Sequence, residues 1–258
     1  MPRFSAHLTQ LFTEVPFAQR FKAAAAAGFK ACEFRSPYEY TPADIAGWLE
    51  ESGLANVLFN APAGDWAAGE RGIAALPGRE DEFRRGIERA CEYARVLKTP
   101  LVHPMCGIVP AGEDWARCRE VFIANLDHAA RTLAGIGVTV VIEPINRRDL
   151  PDYFLATQAD AHAIREEVGA PNLKVQMDLY HAQVTEGDLT TRLRRYLPHI
   201  GHIQIAGVPD RHEPDRGELN LQYLLRLLDT LGYTGWVGCE YVPSGRTEDG
   251  LGWMHSIA

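Results

Sequence analysis

The stretch KVQMDLYHAQ, residues 174–183, has a carboxylate where its apolar pattern stops. The reason for that carboxylate guides the interpretation of the rest of the chain. Its first half alternates apolar and polar residues, which is the period of a β-strand with one buried apolar face. Gln176 and Asp178 lie on the polar face, and His181 follows three residues after the aspartate. A carboxylate that ends a buried strand needs a partner or a function.

The remainder of the chain repeats this strand pattern, and helical patterns separate the repeats. We predict strands at 3–8, 29–35, 55–62, 100–106, 138–146, 173–180, 200–207 and 235–241, and helices near 16–28, 42–52, 78–97, 113–135, 157–168, 188–198 and 220–231. Alternating strands and helices indicate a parallel sheet. Eight such units in about 250 residues, without a glycine-rich phosphate loop, favour an α/β fold of the (β/α)8 TIM-barrel type. We predict one such domain over residues 1–258.

Composition narrows the class of function. The 258 residues are 46% apolar and carry a formal net charge of −8, which argues against a protein that tracks nucleic-acid phosphates. The five cysteines are widely spaced without a CxxC motif, so neither disulfides nor a thiolate zinc site is indicated. No signal peptide and no apolar stretch of membrane-spanning length occurs in the sequence. We therefore expect a cytoplasmic protein with a small polar ligand, no nucleic-acid or membrane partner, and a composition compatible with a homo-oligomer.

Polar residues end four consecutive predicted strands on the face opposite the apolar side chains. They are Glu143, Asp178, Gln204 and Glu240. In a barrel these side chains would converge at the mouth, where carboxylates repel one another unless a cation lies among them. Because all four donors are oxygens, we predict a divalent cation, Mg²⁺ first and Mn²⁺ second. The alternative is that each is an ordinary strand-end residue bonded to a loop.

Other polar residues are candidates for contact with a substrate. His181 lies in the turn after Asp178, an arginine such as Arg211 suits an anionic group, and the segment 62–72 is a long loop rich in glycine and small residues. The predicted substrate-binding residues are His181, Arg211, Asn60, Trp66, Glu70 and His7. Structural histidines and a solvated charge run are the competing interpretations, and His103 is a weaker candidate.

Five segments resemble a known family. VVIEPIN, VQMDLYHAQ, HIQIAGVPDRHEP, GWVGCEY and NAPAGDWAAGERGIAALPGRE closely resemble the hydroxypyruvate isomerase family, which includes 2-oxo-tetronate isomerases, within the xylose isomerase-like TIM-barrel superfamily. The resemblance covers nearly the whole chain. It implies that Glu143 and Glu240 are the acid/base pair, and it also implies the four-residue metal site. Many related epimerases carry histidine where this chain has Gln204.

The resemblance implies an isomerase that interconverts hydroxypyruvate and 2-hydroxy-3-oxopropanoate. The chemistry needs a base, a stabiliser of the enediolate and an acid, and the predicted site offers all three. The alternatives are a 2-oxo-tetronate isomerase, another sugar or sugar-acid isomerase or 3-epimerase, an endonuclease IV-like phosphodiesterase, and a sugar-acid binding protein without catalysis. Many histidine ligands and a basic surface, which the endonuclease would need, are missing from the sequence.

Overall fold

The computed structural model describes residues 3–256. Eight parallel strands form a closed barrel in chain order, so the (β/α)8 prediction is confirmed. The strands are β1 (Arg3–His7), β2 (Ala31–Phe34), β3 (Ala55–Asn60), β4 (Leu101–His103), β5 (Thr139–Ile142), β6 (Leu173–Asp178), β7 (Ile200–Ile205) and β8 (Trp236–Cys239). Because β1 pairs with both β2 and β8, the sheet has no free edge.

Helices surround the barrel. They are α1 (Phe17–Ala26), α2 (Pro42–Ser52), α3 (Glu80–Leu97), α4 (Trp115–Ala134), α5 (Gln158–Val168), α6 (Leu179–Thr185), α7 (Leu189–Tyr196), α8 (Leu221–Thr230) and α9 (Trp253–Ser256). Seven of those described lie at the predicted places, and the short helices α6 and α9 were not predicted. Within residues 3–256, no helix is both long enough and apolar enough to span a membrane.

The sequence patterns differ from the structure mainly at the strand ends. Predicted strand 138–146 is observed only over Thr139–Ile142, and predicted strand 173–180 ends at Asp178 because helix α6 begins there. The Asp178 side chain accepts a hydrogen bond from the backbone N–H of Tyr180 at 2.8 Å and caps α6. The alternation of apolar and polar residues does not show where hydrogen bonding between strands stops. It therefore predicts strand also for residues 143–146 and 179–180.

The barrel interior is occupied by two different kinds of side chain. A small apolar cluster of Ala31, Val57, Leu58 and Val141 is separate from the large core that lies between strands and helices. Towards the carboxyl ends of the strands the interior becomes polar. At Gly238 an added Cβ would lie 2.3 Å from a carboxylate oxygen of another strand, so only glycine leaves room for the polar layer.

Helix α5 provides a pH-dependent contribution to stability. The buried His162 ring stacks on Tyr196, with centroids 4.0 Å apart. Burial, with smaller contributions from Arg165, His199 and Arg195, lowers its pKa to about 3. Since the unfolded chain binds a proton near pH 6.5 and the folded chain does not, stability should fall as pH drops below 6.5.

We expect His162→Phe, which keeps the stacking and removes the titration, to lose less stability than the parent between pH 7 and pH 5. Urea unfolding at the two pH values measures this difference. Tyr223→Phe, at an exposed aromatic position, is the control, because phenols do not titrate between pH 5 and pH 7. Equal losses in the parent and His162→Phe would contradict the assignment.

Candidate active site at the carboxyl ends of the strands

The predicted strand-end residues meet at one mouth of the barrel. Glu143 directly follows β5, Asp178 ends β6 and Glu240 directly follows β8, while Gln204 is the penultimate residue of β7. All four side chains are buried. Glu143, Gln204 and Glu240 line a cavity of about 200 Å³, which is smaller than most pockets for drug-sized ligands and suits a small molecule.

Charge is concentrated in this mouth. Burial, together with the carboxylates of Glu240 and Asp178, raises the pKa of Glu143 well above its ordinary value. Burial likewise raises the pKa of Asp178 to about 7, although Arg211 opposes the shift. For Glu240 burial also acts to raise the pKa, but the neighbouring basic groups His7, Arg211, Arg35 and His103 outweigh burial and lower it. The three carboxylates therefore have markedly different environments, as acid/base pairs require.

The geometry provides oxygen ligands for a cation. Glu143 Oε1 and Asp178 Oδ2 are buried and have no hydrogen-bond partner among the described residues. Donor atoms of Glu143, Asp178 and His181 lie within 4.8 Å of one another, the spacing of a candidate metal site. A buried carboxylate oxygen that accepts no hydrogen bond is costly unless positive charge lies near it. Arg211 lies 3.5 Å from Asp178 Oδ2, and a cation between the two carboxylates would stabilise both oxygens. The residues present therefore fit a divalent cation.

Hydrogen bonds determine the role of His181. Its Nδ1 lies 2.6 Å from Asn146 Nδ2 and accepts a hydrogen bond from the Asn146 backbone N–H at 3.4 Å. The Asn146 amide is oriented by Asp149, whose backbone N–H donates to Asn146 Oδ1. Because Nδ1 accepts from two donors, a neutral His181 carries its proton on Nε2. Burial lowers the pKa of His181 well below its ordinary value, so the neutral form is present. His181 is thus better suited to donate to a substrate oxygen than to ligate a cation.

Two further histidines flank the glutamates. His7 Nε2 lies 3.6 Å from Glu240 Oε1, and His103 Nδ1 lies 3.7 Å from Glu143 Oε2. Burial lowers the pKa of His7 and lowers that of His103 to about 4. Both histidines are therefore neutral near pH 7 and act as polar neighbours of the carboxylates.

Arg211 bridges two carboxylates. One of its guanidinium nitrogens lies 3.5 Å from both Asp178 Oδ2 and Glu240 Oε1. Its backbone has φ +58°, which a non-glycine residue adopts only where surrounding contacts hold it. The backbone N–H of Arg211 donates to Gly207, and its carbonyl accepts from Val242. Arg211 is thus fixed among the carboxylates and is already paired.

A buried network below the mouth involves Glu33, a residue that the sequence analysis missed. Its carboxylate accepts hydrogen bonds from Ser5 Oγ at 2.6 Å and Gln204 Nε2 at 2.7 Å, and it lies 2.9 Å from His202 Nε2. Gln204 Oε1 accepts from Gln176 Nε2 at 2.6 Å. Burial acts to raise the pKa of Glu33, but its partners, His202 foremost, outweigh burial and lower it. Glu33 therefore positions the Gln204 amide as a fixed part of the barrel.

Removal of Glu33 should destabilise the fold. In Glu33→Ala the buried groups of Ser5, His202 and Gln204 lose their shared partner, and loss of one member of such a buried charged network costs about 3–5 kcal/mol. We expect a lower free energy of unfolding of that order in urea titrations. Glu39→Ala, at an exposed position in the following loop, is the control; a Glu33→Ala variant as stable as that control would contradict the role of the network.

The loop after β3 contributes to the cavity, but not through every predicted residue. Asn60 and Trp66 line the cavity. Glu70 does not, because its carboxylate binds Arg79 at 2.7 Å and the Asp65 backbone N–H at 2.5 Å, which closes the loop on itself. At Gly72, φ is +109° and an added Cβ would lie 2.3 Å from the Met105 carbonyl oxygen, so glycine permits the loop to pack against the barrel.

The cavity also contains Arg35 and Arg71, which were not among the predicted site residues. Arg71 lies in the loop whose pattern was recognised. Arg35 directly follows β2 and lies two and four residues after Glu33 and Ala31, so the strand pattern assigns all three to one face. Alternation applied to β2, as it was to the last four strands, would have identified both Glu33 and Arg35.

Comparison with known proteins agrees with this architecture. Residues 21–257 match the model of the family described as xylose isomerase-like TIM barrel. The chain is 57% identical to a 2-oxo-tetronate isomerase of Cupriavidus necator, with 98% of each chain covered. It is 44% identical to a hydroxypyruvate isomerase of Escherichia coli, again with 98% of each chain covered.

A solved structure is also similar along the whole chain. The crystal structure of AP endonuclease, family 2, from Brucella melitensis superposes with a TM-score of 0.98 at 50% identity and covers 99% of both chains. The resemblance stated from the sequence motifs is therefore confirmed.

Proposed function

The chain belongs to the xylose isomerase-like TIM-barrel family, and from that premise we propose that it is an isomerase that interconverts hydroxypyruvate and 2-hydroxy-3-oxopropanoate. The observation that carries this proposal is the convergence of Glu143 and Glu240 on one small cavity, in environments that shift their pKa values in opposite directions. Two carboxylates with separated pKa values are what acid/base transfer between adjacent carbons requires.

The reaction moves one carbon-bound proton and one hydroxyl proton. A glutamate removes a proton from C3 of hydroxypyruvate, the electron pair forms the C2–C3 double bond of an enediolate, and a glutamate returns a proton to C2. The hydroxyl proton on O3 is lost and O2 acquires one, so no oxidant or reductant is needed. We assign the carbon proton transfers to the pair Glu143 and Glu240. His181 is placed to donate from Nε2 to a substrate oxygen as negative charge develops.

A divalent cation fits beside these groups. Glu143 and Asp178, each with a buried oxygen that accepts no hydrogen bond from the described residues, would hold it, and Gln204 and Glu240 lie at the same mouth. When bound, the cation supplies Lewis-acid polarisation of substrate oxygens. Oxygen donors favour Mg²⁺, and Mn²⁺ is our second choice because it accepts the same ligands.

A second candidate is isomerisation of a 2-oxo-tetronate, which differs by one carbon. It is favoured by the 57% identity to the Cupriavidus necator enzyme of that name. An endonuclease function, suggested by the description of the Brucella melitensis structure, suits this chain less well. The net charge is −8, and the one cluster of metal-binding residues found in 3–256 contains a single histidine, whereas DNA phosphates call for a basic surface.

One assay distinguishes these functions. Protein stripped of metal with a chelator is given hydroxypyruvate or 2-oxo-tetronate, with and without added Mg²⁺ or Mn²⁺, and products are identified by NMR. We expect cation-dependent turnover of hydroxypyruvate. Turnover of 2-oxo-tetronate alone would establish the second candidate, and failure with both substrates while a cation is bound would contradict the proposed function.

A further inference from the structure

Two arginines in the cavity have no carboxylate partner within the part of the chain that the structure describes. The cavity is lined by Arg35, Arg71 and Arg211, and Arg211 has two carboxylate oxygens at 3.5 Å. Within residues 3–256, neither Arg35 nor Arg71 has a carboxylate oxygen within 4 Å. The positive charge of Arg211 is thus matched inside the protein, whereas the charges of the other two are not.

Most hydrogen-bond donors of this arginine pair are free among the described residues. Arg35 Nε is buried and has no partner there. Arg71 Nη1 donates to the backbone carbonyls of Trp66 and Glu70, at 3.1 and 2.7 Å, which leaves Nε and Nη2 for another acceptor. Both guanidinium groups also lie over the Trp66 ring, with Cζ 5.0 Å from its centroid for Arg35 and 3.9 Å for Arg71. The indole holds the two like charges close together.

The pair lies next to the acid/base groups. Arg35 lines the same cavity as Glu143, Glu240, Arg71 and Arg211, and all four charges act on it. Two close guanidinium groups repel each other, and a planar anion that accepts hydrogen bonds from both would relieve the repulsion. A carboxylate one bond away from the reacting carbonyl meets this requirement in a cavity of about 200 Å³.

We propose that Arg35 and Arg71, held over Trp66, form the subsite that binds the carboxylate of a small 2-oxo acid and so select acid substrates over neutral sugars. This inference rests on the proposed function, because it assigns the substrate's C1 carboxylate to these arginines. Arg211, which the sequence analysis proposed for the anionic group, remains with Asp178 and Glu240.

The test compares an acid with its neutral analogue. Kinetic constants are measured for hydroxypyruvate and for dihydroxyacetone, in which a hydroxymethyl group replaces the carboxylate, with the parent, Arg35→Gln and Arg71→Gln. We expect each variant to raise KM for hydroxypyruvate by about tenfold to a hundredfold with a smaller change in kcat, because a lost charged hydrogen bond has an effect of that order. The kinetic constants for dihydroxyacetone should change much less than those for hydroxypyruvate, because the neutral substrate has no carboxylate to lose, and the remaining effect is that of the Arg35 charge on Glu240. Arg35→Lys and Arg71→Lys, which keep the charge without the planar fork, should give intermediate KM values.

Binding of pyruvate by calorimetry separates this inference from the proposed function, because pyruvate lacks the C3 hydroxyl and cannot isomerise. We expect Arg35→Gln and Arg71→Gln to weaken pyruvate binding about tenfold or more, whereas Arg117→Gln, at an exposed helical position paired with Glu120, leaves it unchanged. A parent that binds pyruvate through these arginines but turns over no substrate would overturn the function and retain the subsite. Unchanged pyruvate binding in folded Arg35→Gln and Arg71→Gln would overturn the subsite.

Discussion

Glu240→Gln should lose most isomerase activity, with kcat reduced by about 10² to 10⁴, the range for loss of an acid/base group. The substitution keeps the shape of the side chain and removes its ability to accept and return a proton. Glu240 lies at the cavity, 3.6 Å from the neutral His7 and 3.5 Å from Arg211, so the carboxylate is held in place for this transfer. Initial rates with hydroxypyruvate at saturating Mg²⁺ measure the loss.

The control for this experiment is a glutamate outside the site. Glu248, in the short 3₁₀ helix Glu248–Gly250, pairs with Arg246 at the surface, and Glu248→Gln should retain full activity. Thermal unfolding and circular dichroism should show Glu240→Gln folded like the parent. A folded Glu240→Gln enzyme with near-parent kcat would remove Glu240 from the acid/base pair.

Asp178→Asn should abolish cation binding and, with it, cation-dependent turnover. Asn retains the side-chain oxygen that caps α6, so the helix entry is preserved. The change removes the negative charge from Asp178, whose Oδ2, like Glu143 Oε1, is buried in the mouth and accepts no hydrogen bond from residues 3–256. We expect Mn²⁺ titration, followed by electron paramagnetic resonance, to show binding to the parent and none to Asp178→Asn at the same concentrations.

Thermal unfolding offers a second measurement of the same effect. A cation that binds only the folded state raises the unfolding temperature of the parent, and it should leave that of Asp178→Asn unchanged. Asp160→Asn, at the exposed start of α5, is the control and should respond as the parent does. Cation binding by Asp178→Asn with parent affinity would contradict the proposed ligand role.

The sequence patterns predicted the barrel because each strand carries its own period-two alternation and each crossover its own helical pattern. The same alternation predicted that Glu143, Asp178, Gln204 and Glu240 lie at one mouth, because the carboxyl ends of parallel strands lie at the same end of a barrel. Their assignment as cation ligands stays a prediction.

Other features depend on contacts between distant segments and could not be derived from local patterns. The orientation of His181 depends on Asn146, which is 35 residues away, and Glu70 turns from the cavity because Arg79 binds it. The sequence pattern favours Arg211 as the anion-binding residue, but the sequence of its loop does not show that the guanidinium group pairs with Asp178 and Glu240. These pairings form only after the barrel brings the strand ends together.

The most direct test of the central claim is the fate of the C3 hydrogen of hydroxypyruvate. Substrate deuterated at C3 is incubated in ordinary water with the Mg²⁺-loaded protein, and early product is analysed by NMR, with Glu240→Gln and a sample without protein as controls. If carboxylates transfer the proton through an enediolate, deuterium passes to water and 2-hydroxy-3-oxopropanoate carries ordinary hydrogen at C2. Complete transfer of deuterium from C3 to C2 would contradict the division of proton removal and return between Glu143 and Glu240, because it requires a hydride shift or a single base shielded from water.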